Sequence, residues 1–400
     1  MSADTTARAG SDVVEMDVGE DWSEIRDQVR KICEGFPLEY WGRLDDASEY
    51  PHDFVNALTA SGYLGALIPE EYGGSGLPLR AASVILETIH SSGCSAAACH
   101  AQMYIMGTLL RHGSPEQKAT YLPKIATGEL RLQAFGVTEP TTGSDTTQLK
   151  TRAVRDGESY VVNGQKIWTS RALQSDLMLL LARTTAADQV KKRTDGLSVF
   201  LVDLREVRGK GCEIRPIPTM VNHNTNEVFF DNMRIPASAL IGEEGRGFRY
   251  ILDGMNAERV LVASEAIGDG KWFIEKGVAY ANERVVFGQP IGRNQAIQHP
   301  IARAYAELQA AEMMVRRGAA LFDAGRDCGE AANIGKMLAS EAAWHAAEAC
   351  FQSHGGFAFA REYHIERKWR ECRLFQTAPI STNMVLNFVA QNILGLPRSY

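Results

Sequence analysis

The chain lacks several features that would identify common classes of protein. Among its 400 residues, no apolar run approaches the length of about 18 residues that a membrane-spanning helix needs, so no such span is expected. The seven cysteines include no Cys-x-x-Cys pair, which argues against a metal site and favours reduced, structural thiols. No Gly-x-Gly-x-x-Gly motif is present, so a dinucleotide site of the Rossmann type is not expected.

Positive charge is scarcer than negative charge. The sequence has 42 Lys and Arg against 49 Asp and Glu, for a formal net charge of -7. This balance speaks against nucleic acid or an anionic membrane as a partner. The N-terminal stretch is polar and acidic, without the apolar core of a secretory signal or the Arg-rich character of a mitochondrial transit peptide. We therefore expect a flexible arm over residues 1–20 and a cytoplasmic location.

Hydrophobic periodicity divides the rest of the chain into three blocks. Residues 21–132 have helical spacing, including a long apolar helix predicted from Ala81 to Leu110. Residues 133–242 change to alternation with a period of two, in runs rich in Val, Leu, Ile and Phe, and residues 243–400 return to helical spacing. Because no helix-sized crossover joins the strands, a parallel α/β sheet is not expected. We predict an α+β fold, mainly α, with a β-domain between two helical domains.

One carboxylate has an unusual position in the last block. In the stretch GMNAERVLVASEAIG, Glu258 shares a helical stripe with Ile251, Met255 and Val262. Desolvation on such a stripe disfavours the charged form of a carboxylate and raises its pKa, which suits a general base. On this stretch alone, the commoner alternative is a glutamate paired with a neighbouring arginine such as Arg259 on a solvated face.

The segment FGVTEPTTGSDTTQ, residues 135–148, joins the first block to the second. Backbone N–H groups and hydroxyls in a turn of this composition suit a flat polar heterocycle or a phosphate, although a simple capping turn fits as well. Trp168, Thr169 and Ser170 follow about 30 residues later, and an indole beside hydroxyls is able to cover an aromatic ring. A core tryptophan is the alternative.

Four motifs, in this order along the chain, resemble those of the acyl-CoA dehydrogenase family. VTEPTTGSD is similar to the family's first signature and NGQKIWTS to the strand that follows it. ANERVVFGQPIGRNQ, residues 281–295, resembles its arginine–phenylalanine–glutamine flavin segment. QSHGGFAFAREYHIERKWRECR, residues 352–373, resembles its second signature, with Ala358 where glycine is usual. The resemblance covers the chain from about Asp21 to the C-terminus.

The resemblance implies an N-terminal helical domain, a central β-domain and a C-terminal four-helix bundle, with FAD between the β-domain and the bundle. It also implies a homotetramer, an acyl-CoA substrate, an electron-transferring flavoprotein as acceptor and a role in fatty acid metabolism. The flavin side of the site would include Phe135, Val137, Thr138, Gly143, Ser144, Trp168, Ser170, Ser381 and Asn383, with Ser170 near flavin N5. The residues Arg284, Phe287, Gln295, Gln352, Gly355 and Gly356 would hold the diphosphate and adenine of a neighbouring subunit's FAD. The substrate would contact Ser144, Met255 and Arg259.

The family's usual base is missing from its usual place. Many members carry it in a tyrosine–glutamate–glycine–threonine loop after the second signature, where this chain has Pro379 at the glutamate position. Isovaleryl-type and long-chain members carry it on the first long helix of the bundle, directly before an arginine, as Glu258 precedes Arg259 here. The resemblance therefore implies that Glu258 removes the α-proton of an acyl thioester while a hydride passes to flavin N5. Glu265, two turns further along the helix, is the fallback, although the family gives it no such role.

Pro379 also leaves other functions open. A backbone N–H of the loop helps to hold the thioester oxygen in the family, and proline has none, so that donor is absent or supplied by Ile380. The alternatives are desulfination or flavin monooxygenation on the same scaffold, desaturation of an acyl group on a carrier protein, and a non-enzymatic flavin-holding subunit. The presence of Glu258 argues against desulfination and flavin monooxygenation, because relatives with those activities tend to lack the base glutamate.

Overall fold

The computed structural model describes residues 22–398, so the arm predicted over residues 1–20 lies outside the described part of the chain. The first block is helical: α1 (Ser23–Glu34), α2 (Leu38–Ala47), α3 (His52–Ala60), α4 (Leu79–Ser91), α5 (Ala97–His112) and α6 (Pro115–Thr127). The prediction of one helix from Ala81 to Leu110 is wrong, because α4 and α5 are separate helices. Gly93 lies between them with φ +80°, a left-handed conformation that favours glycine and ends a helix.

The second block forms one seven-stranded sheet. Its elements are β1 (Leu132–Gly136), β2 (Arg152–Asp156), β3 (Ser159–Ser170), β4 (Leu177–Arg183), β5 (Leu197–Asp203), the short helix α7 (Leu204–Val207), β6 (Cys212–Pro216) and β7 (Thr225–Pro236). Strand β3 pairs antiparallel with β2 and β7, and β4 pairs antiparallel with β5 but parallel with β1. The sheet is mixed rather than parallel, as expected from a sequence without crossover helices.

The third block is dominated by three long helices. Its elements are α8 (Gly247–Glu283), the hairpin strands β8 (Val285–Val286) and β9 (Gln289–Pro290), α9 (Gln295–Asp323), α10 (Gly329–His354), α11 (Ile365–Leu374) and α12 (Thr382–Phe388). Helix α8 packs on α9, α10, α4 and α5, and its first turn lies against β5. A Cβ added to Gly247 would lie 2.4 Å from backbone atoms of Ser198 and Val199, so only glycine permits this approach.

The three-domain prediction is confirmed, while the boundaries at 132/133 and 242/243 stay predictions. One buried core fills the helical domains, a second fills the sheet, and a third lies between α5, α6, β1, β4, β5 and the start of α8. Half-buried Tyr104, Phe135, Val137 and Met255 pack against this third core, so it brings the flavin and substrate candidates to one seam. Within residues 22–398, no helix has the length and apolar character to cross a membrane.

Candidate active site at the seam between the domains

A buried ion pair shapes the Thr- and Gly-rich turn between β1 and β2. The backbone groups of Glu139 and Thr142 exchange two hydrogen bonds of 3.0 and 3.1 Å, which close the turn. The Glu139 carboxylate accepts hydrogen bonds from the backbone N–H groups of Lys150 and Thr151, and from Lys166 Nζ at 2.9 Å. Burial lowers the pKa of Lys166 to about 8, although Glu139 partly offsets this effect. The turn is therefore fixed from its buried side, and its outer side is free to meet a ligand.

The two segments predicted to contact flavin lie side by side. Lys166 Nζ donates to the Val137 carbonyl and the Ile167 N–H donates to the Thr138 carbonyl, both at 2.9 Å. Trp168, at the end of β3, leaves 57% of its surface exposed and has a left-handed φ of +60°. An open indole beside a turn of hydroxyls fits a flat heterocycle, because the ring can stack and the turn can hydrogen-bond. Among the other predicted residues, Gly143 and Ser144 are exposed, whereas Phe135, Val137, Thr138 and Ser170 are half-buried.

Glu258 is buried on α8, opposite α5 and α10. It is 4% exposed, and its Oε2 atom has no hydrogen-bond partner within residues 22–398. Burial raises the pKa of the Glu258 carboxyl to about 7, against the positive charges of His100, Arg259 and Lys336, which lower it. Tyr104 lies on the same side of the site, and burial together with Glu258 raises the pKa of its hydroxyl well above the usual value. Glu258 is therefore buried as the sequence pattern predicts, and this burial acts on the pKa of its carboxyl in the predicted direction.

The alternative of a solvated Glu258 paired with Arg259 is wrong. Arg259 Nη1 instead donates to Asn256 Oδ1 at 2.8 Å. Met255, one turn earlier, belongs with Tyr104 and Phe135 to the seam, and the rings of the latter two lie 5.7 Å apart. Tyr104 therefore lies between the carboxylate of Glu258 and the candidate flavin-binding strand β1, since it interacts with Glu258 and contacts the Phe135 ring. The catalytic role of Glu258 stays a prediction.

Glu265, the fallback base, has a different environment. It is 3% exposed, with His100 Nδ1 at 3.4 Å and His90 Nε2 at 3.9 Å from its Oε1 atom. Burial raises the pKa of its carboxyl, but His100, His90 and His223 outweigh burial and hold the pKa below the usual value. A carboxylate that is already surrounded by imidazoles is a poorer proton acceptor than Glu258.

A cluster of possible metal ligands lies behind Glu265. One ligand atom from each of His90, Asp269 and Glu371 lies within 4.8 Å of the others. The Lys368 ammonium pairs with Asp269 and donates to Glu371 at 2.8 Å. The protein's own cation therefore holds these carboxylates together, which is the arrangement expected of a buried ionic network.

The residues predicted to contact a neighbouring subunit's FAD lie at the far end of α8. From Glu258 to the end of the helix at Glu283 the axial distance is about 37 Å, at about 1.5 Å per residue. The Arg284 guanidinium lies 5.7 Å from the ring centre of Phe357, and Phe287, between β8 and β9, is fully exposed. Gln295, Gln352, Gly355 and Gly356 are exposed as well.

The loop between α11 and α12 contains a contact that the sequence interpretation missed. Lys336 on α10 donates from Nζ to the Ile380 carbonyl at 2.6 Å. Ser381 accepts from the Met384 N–H at 3.4 Å and caps α12, and Asn383 is exposed. Lys336 is a lone charge in the apolar run ANIGKMLAS, the same kind of signal that identified Glu258.

A sheet domain lies between two helical domains, with a buried carboxylate at their seam. Residues 19–129, 134–233 and 245–394 match the descriptions "Acyl-CoA dehydrogenase, N-terminal domain", "middle domain" and "C-terminal domain". The protein is therefore a flavoprotein oxidoreductase by its class, and the chain belongs to the acyl-CoA dehydrogenase family.

Similar proteins agree with this assignment. "Acyl-CoA dehydrogenase fadE12" of Mycobacterium bovis is 36% identical over 387 residues, which cover 94% of this chain and 98% of that protein. The solved structure of a glutaryl-coenzyme A dehydrogenase with glutaryl-CoA is 28% identical, with a TM-score of 0.88 over 96% of this chain and 97% of that one. The prolyl acyl carrier protein oxidase AnaB shares the fold at 24% identity, with a TM-score of 0.87 over 94% of this chain and 98% of that one.

Proposed function

We propose that this enzyme is an FAD-dependent dehydrogenase that forms a double bond between the α- and β-carbons of an acyl-CoA, with Glu258 as the base. The observation that carries the proposal is the combination of burial, a carboxylate oxygen without a partner among residues 22–398, and a pKa of about 7 at Glu258. A base with a pKa near the working pH is present in the ionised form and still binds a proton well.

The proposed reaction balances around two C–H bonds. The α C–H bond breaks, its proton passes to Glu258, and its electron pair enters the new double bond. The hydrogen on the β-carbon leaves with its own pair as a hydride. Bound FAD would supply the hydride acceptor at flavin N5. Two observations support the fit of a flat heterocycle beside the turn: the Trp168 ring near the end of β3 is exposed, and the buried Thr142 hydroxyl in the turn after β1 has no partner within residues 22–398.

The residues that we assign to FAD are those implied by the resemblance of the motifs to the family. Those on the flavin side are Phe135, Val137, Thr138, Gly143, Ser144, Trp168, Ser170, Ser381 and Asn383. Ser144, Met255 and Arg259 are assigned to the substrate. The thioester oxygen would take its donor from the loop at Ile380, because Pro379 has no N–H.

The second group of FAD residues supports an assembly of several copies. Arg284, Phe287, Gln295, Gln352, Gly355 and Gly356 would hold the diphosphate and adenine of FAD bound to another copy. An axial distance of about 37 Å from Glu258 is too long for them to act on the same reacting centre, and a fully exposed Phe287 suits burial by a partner. We propose a homotetramer, a cytoplasmic location, a role in fatty acid metabolism and an electron-transferring flavoprotein as acceptor.

An anaerobic titration of the purified holoenzyme tests the proposal. Butyryl-, isovaleryl-, octanoyl- and phenylpropionyl-CoA would be added separately, and the flavin absorbance would be followed with time. We expect at least one of these thioesters to bleach the flavin and to be recovered as the α,β-unsaturated product. The same acyl groups on an acyl carrier protein would separate a free CoA ester from a carrier-bound substrate.

Three other outcomes would contradict parts of the proposal. Bleaching by the carrier-bound acyl groups alone would reject CoA as the carrier. A flavin that stays oxidised with every thioester would reject dehydrogenation, and the desulfinase and monooxygenase alternatives would then be favoured. A colourless protein that takes up no FAD on reconstitution would reject the cofactor.

A further inference from the structure

Lys336 connects the two parts of the site that the proposed reaction needs. It lies on α10, is 1% exposed, and is among the largest fully buried side chains of the protein. Its ammonium donates to the Ile380 carbonyl at 2.6 Å and faces Glu258 through space. A buried ammonium costs free energy unless it interacts with an opposite charge or a fixed dipole. For Lys336, the charge is that of Glu258 and the dipole is the Ile380 carbonyl.

The hydrogen bond to Ile380 fixes the orientation of one peptide group in the loop. Because a peptide is planar, holding the Ile380 carbonyl also fixes the direction of the next N–H group, that of Ser381. The Ser381 side chain caps α12 through Met384, so the loop is held on both sides of this peptide. This is the loop in which Pro379 removes one N–H donor, and its remaining donors depend on such fixation.

The charge of Lys336 also acts on Glu258, with a smaller effect than those of His100 and Arg259. Helix α5 contributes His100 and Tyr104, α8 contributes Arg259, and α10 contributes Lys336. The ammonium in turn faces Glu258, Arg259 and Glu341. Burial lowers the pKa of Lys336 to about 8, partly offset by Glu258, so the group is still mostly charged at neutral pH.

We propose that Lys336 is a positioning residue for the dehydrogenation: its ammonium adds to His100 and Arg259 in favouring the ionised form of buried Glu258, and it orients the Ile380–Ser381 peptide in the loop that would hold the thioester oxygen. This inference rests on the proposed function. It adds a pH requirement that the base alone does not have, since loss of the ammonium would favour the protonated, inactive form of Glu258 at neutral pH.

The test compares Lys336→Gln, which keeps a donor for Ile380 but loses the charge, with Lys336→Arg, which keeps both. The rate of anaerobic flavin reduction would be measured against pH with the thioester that the wild type oxidises fastest. We expect the acid-side midpoint of Lys336→Gln to rise by about one pH unit, with a rate about fivefold lower near pH 7 and recovery at higher pH. Lys336→Arg should keep the wild-type midpoint.

Lys276→Met is the matched control. It removes another ammonium from the same bundle, 18 positions and therefore about 27 Å from Glu258 along α8, and its pH profile should equal that of the wild type. If Lys336→Gln fails to retain FAD, Lys336→Met with its FAD content restored by reconstitution replaces it. If the wild type oxidises a thioester but the charge-free variants keep its acid-side midpoint, the inference about Lys336 is overturned. If the wild type oxidises no thioester, the proposed function is overturned instead.

Discussion

Replacing Glu258 by Gln should change two properties in opposite directions. The amide keeps the size of the side chain but accepts no proton, so flavin reduction should fall by at least about 1,000-fold, within the range expected for loss of a general base. The same substitution should stabilise the protein at alkaline pH, because a buried ionised carboxylate opposes folding. Function and stability are therefore measured on one side chain.

The size of the stability effect follows from the pKa. Folding raises the pKa of Glu258 from 4.5 to about 7, and at about 1.4 kcal/mol per pH unit this corresponds to about 3 kcal/mol. The folded state binds the proton more tightly than the unfolded state. The contribution of Glu258 to the free energy of unfolding is therefore fully present below pH 4.5 and is lost as pH rises through about 7. The advantage of Glu258→Gln over the wild type should grow by about 2 to 3 kcal/mol between about pH 5 and pH 8.

Urea unfolding of the holoenzymes at several pH values, followed by intrinsic fluorescence, measures this difference. Glu265→Gln is a matched control on the same helix, two turns away. Because the pKa of Glu265 is lowered in the folded state, its charge stabilises the protein above the unfolded value, and the amide should lose stability as pH rises. Parallel stability curves for Glu258→Gln and the wild type would refute the burial argument. Flavin reduction at nearly the wild-type rate would refute the role of Glu258 as base.

Three further substitutions test the residue roles implied by the family and the packing of α8. Adding Pro379→Glu to Glu258→Gln rebuilds the other base position and should restore part of the flavin reduction, whereas no recovery would show that the loop follows a different path. Arg284→Ala removes charge-assisted bonds to a diphosphate and should lower FAD content and oligomer size together, measured by absorbance and light scattering; unchanged values would reject that role. Gly247→Ala should lower the free energy of unfolding by about 1–3 kcal/mol, because the new Cβ would meet the backbone of β5; an equally stable variant would show that α8 shifts freely.

The sequence predicted several residues whose signal is local, although it missed Lys336, and it could not predict pairs that only the fold brings together. Glu258 stood out because its helical stripe is apolar, and Trp168 because it follows a motif of the family. Lys166 and Glu139 are 27 positions apart, and only the fold of β1 against β3 reveals that they form a buried pair. The predicted long helix at Ala81 failed for a different reason, since apolar periodicity continues across Gly93 although its left-handed backbone cannot continue the helix.

The exposed hairpin at Phe287 affects how the proposed enzyme would behave on dilution. If each flavin is held partly by a second copy, then association of the chains and retention of the cofactor are one linked equilibrium. Specific activity would then depend on protein concentration, falling as dilution separates the copies and recovering when FAD is added in excess. FAD bound to one subunit would then stabilise the whole assembly. An assay run at nanomolar enzyme would report the affinity between chains as well as the rate of the chemistry.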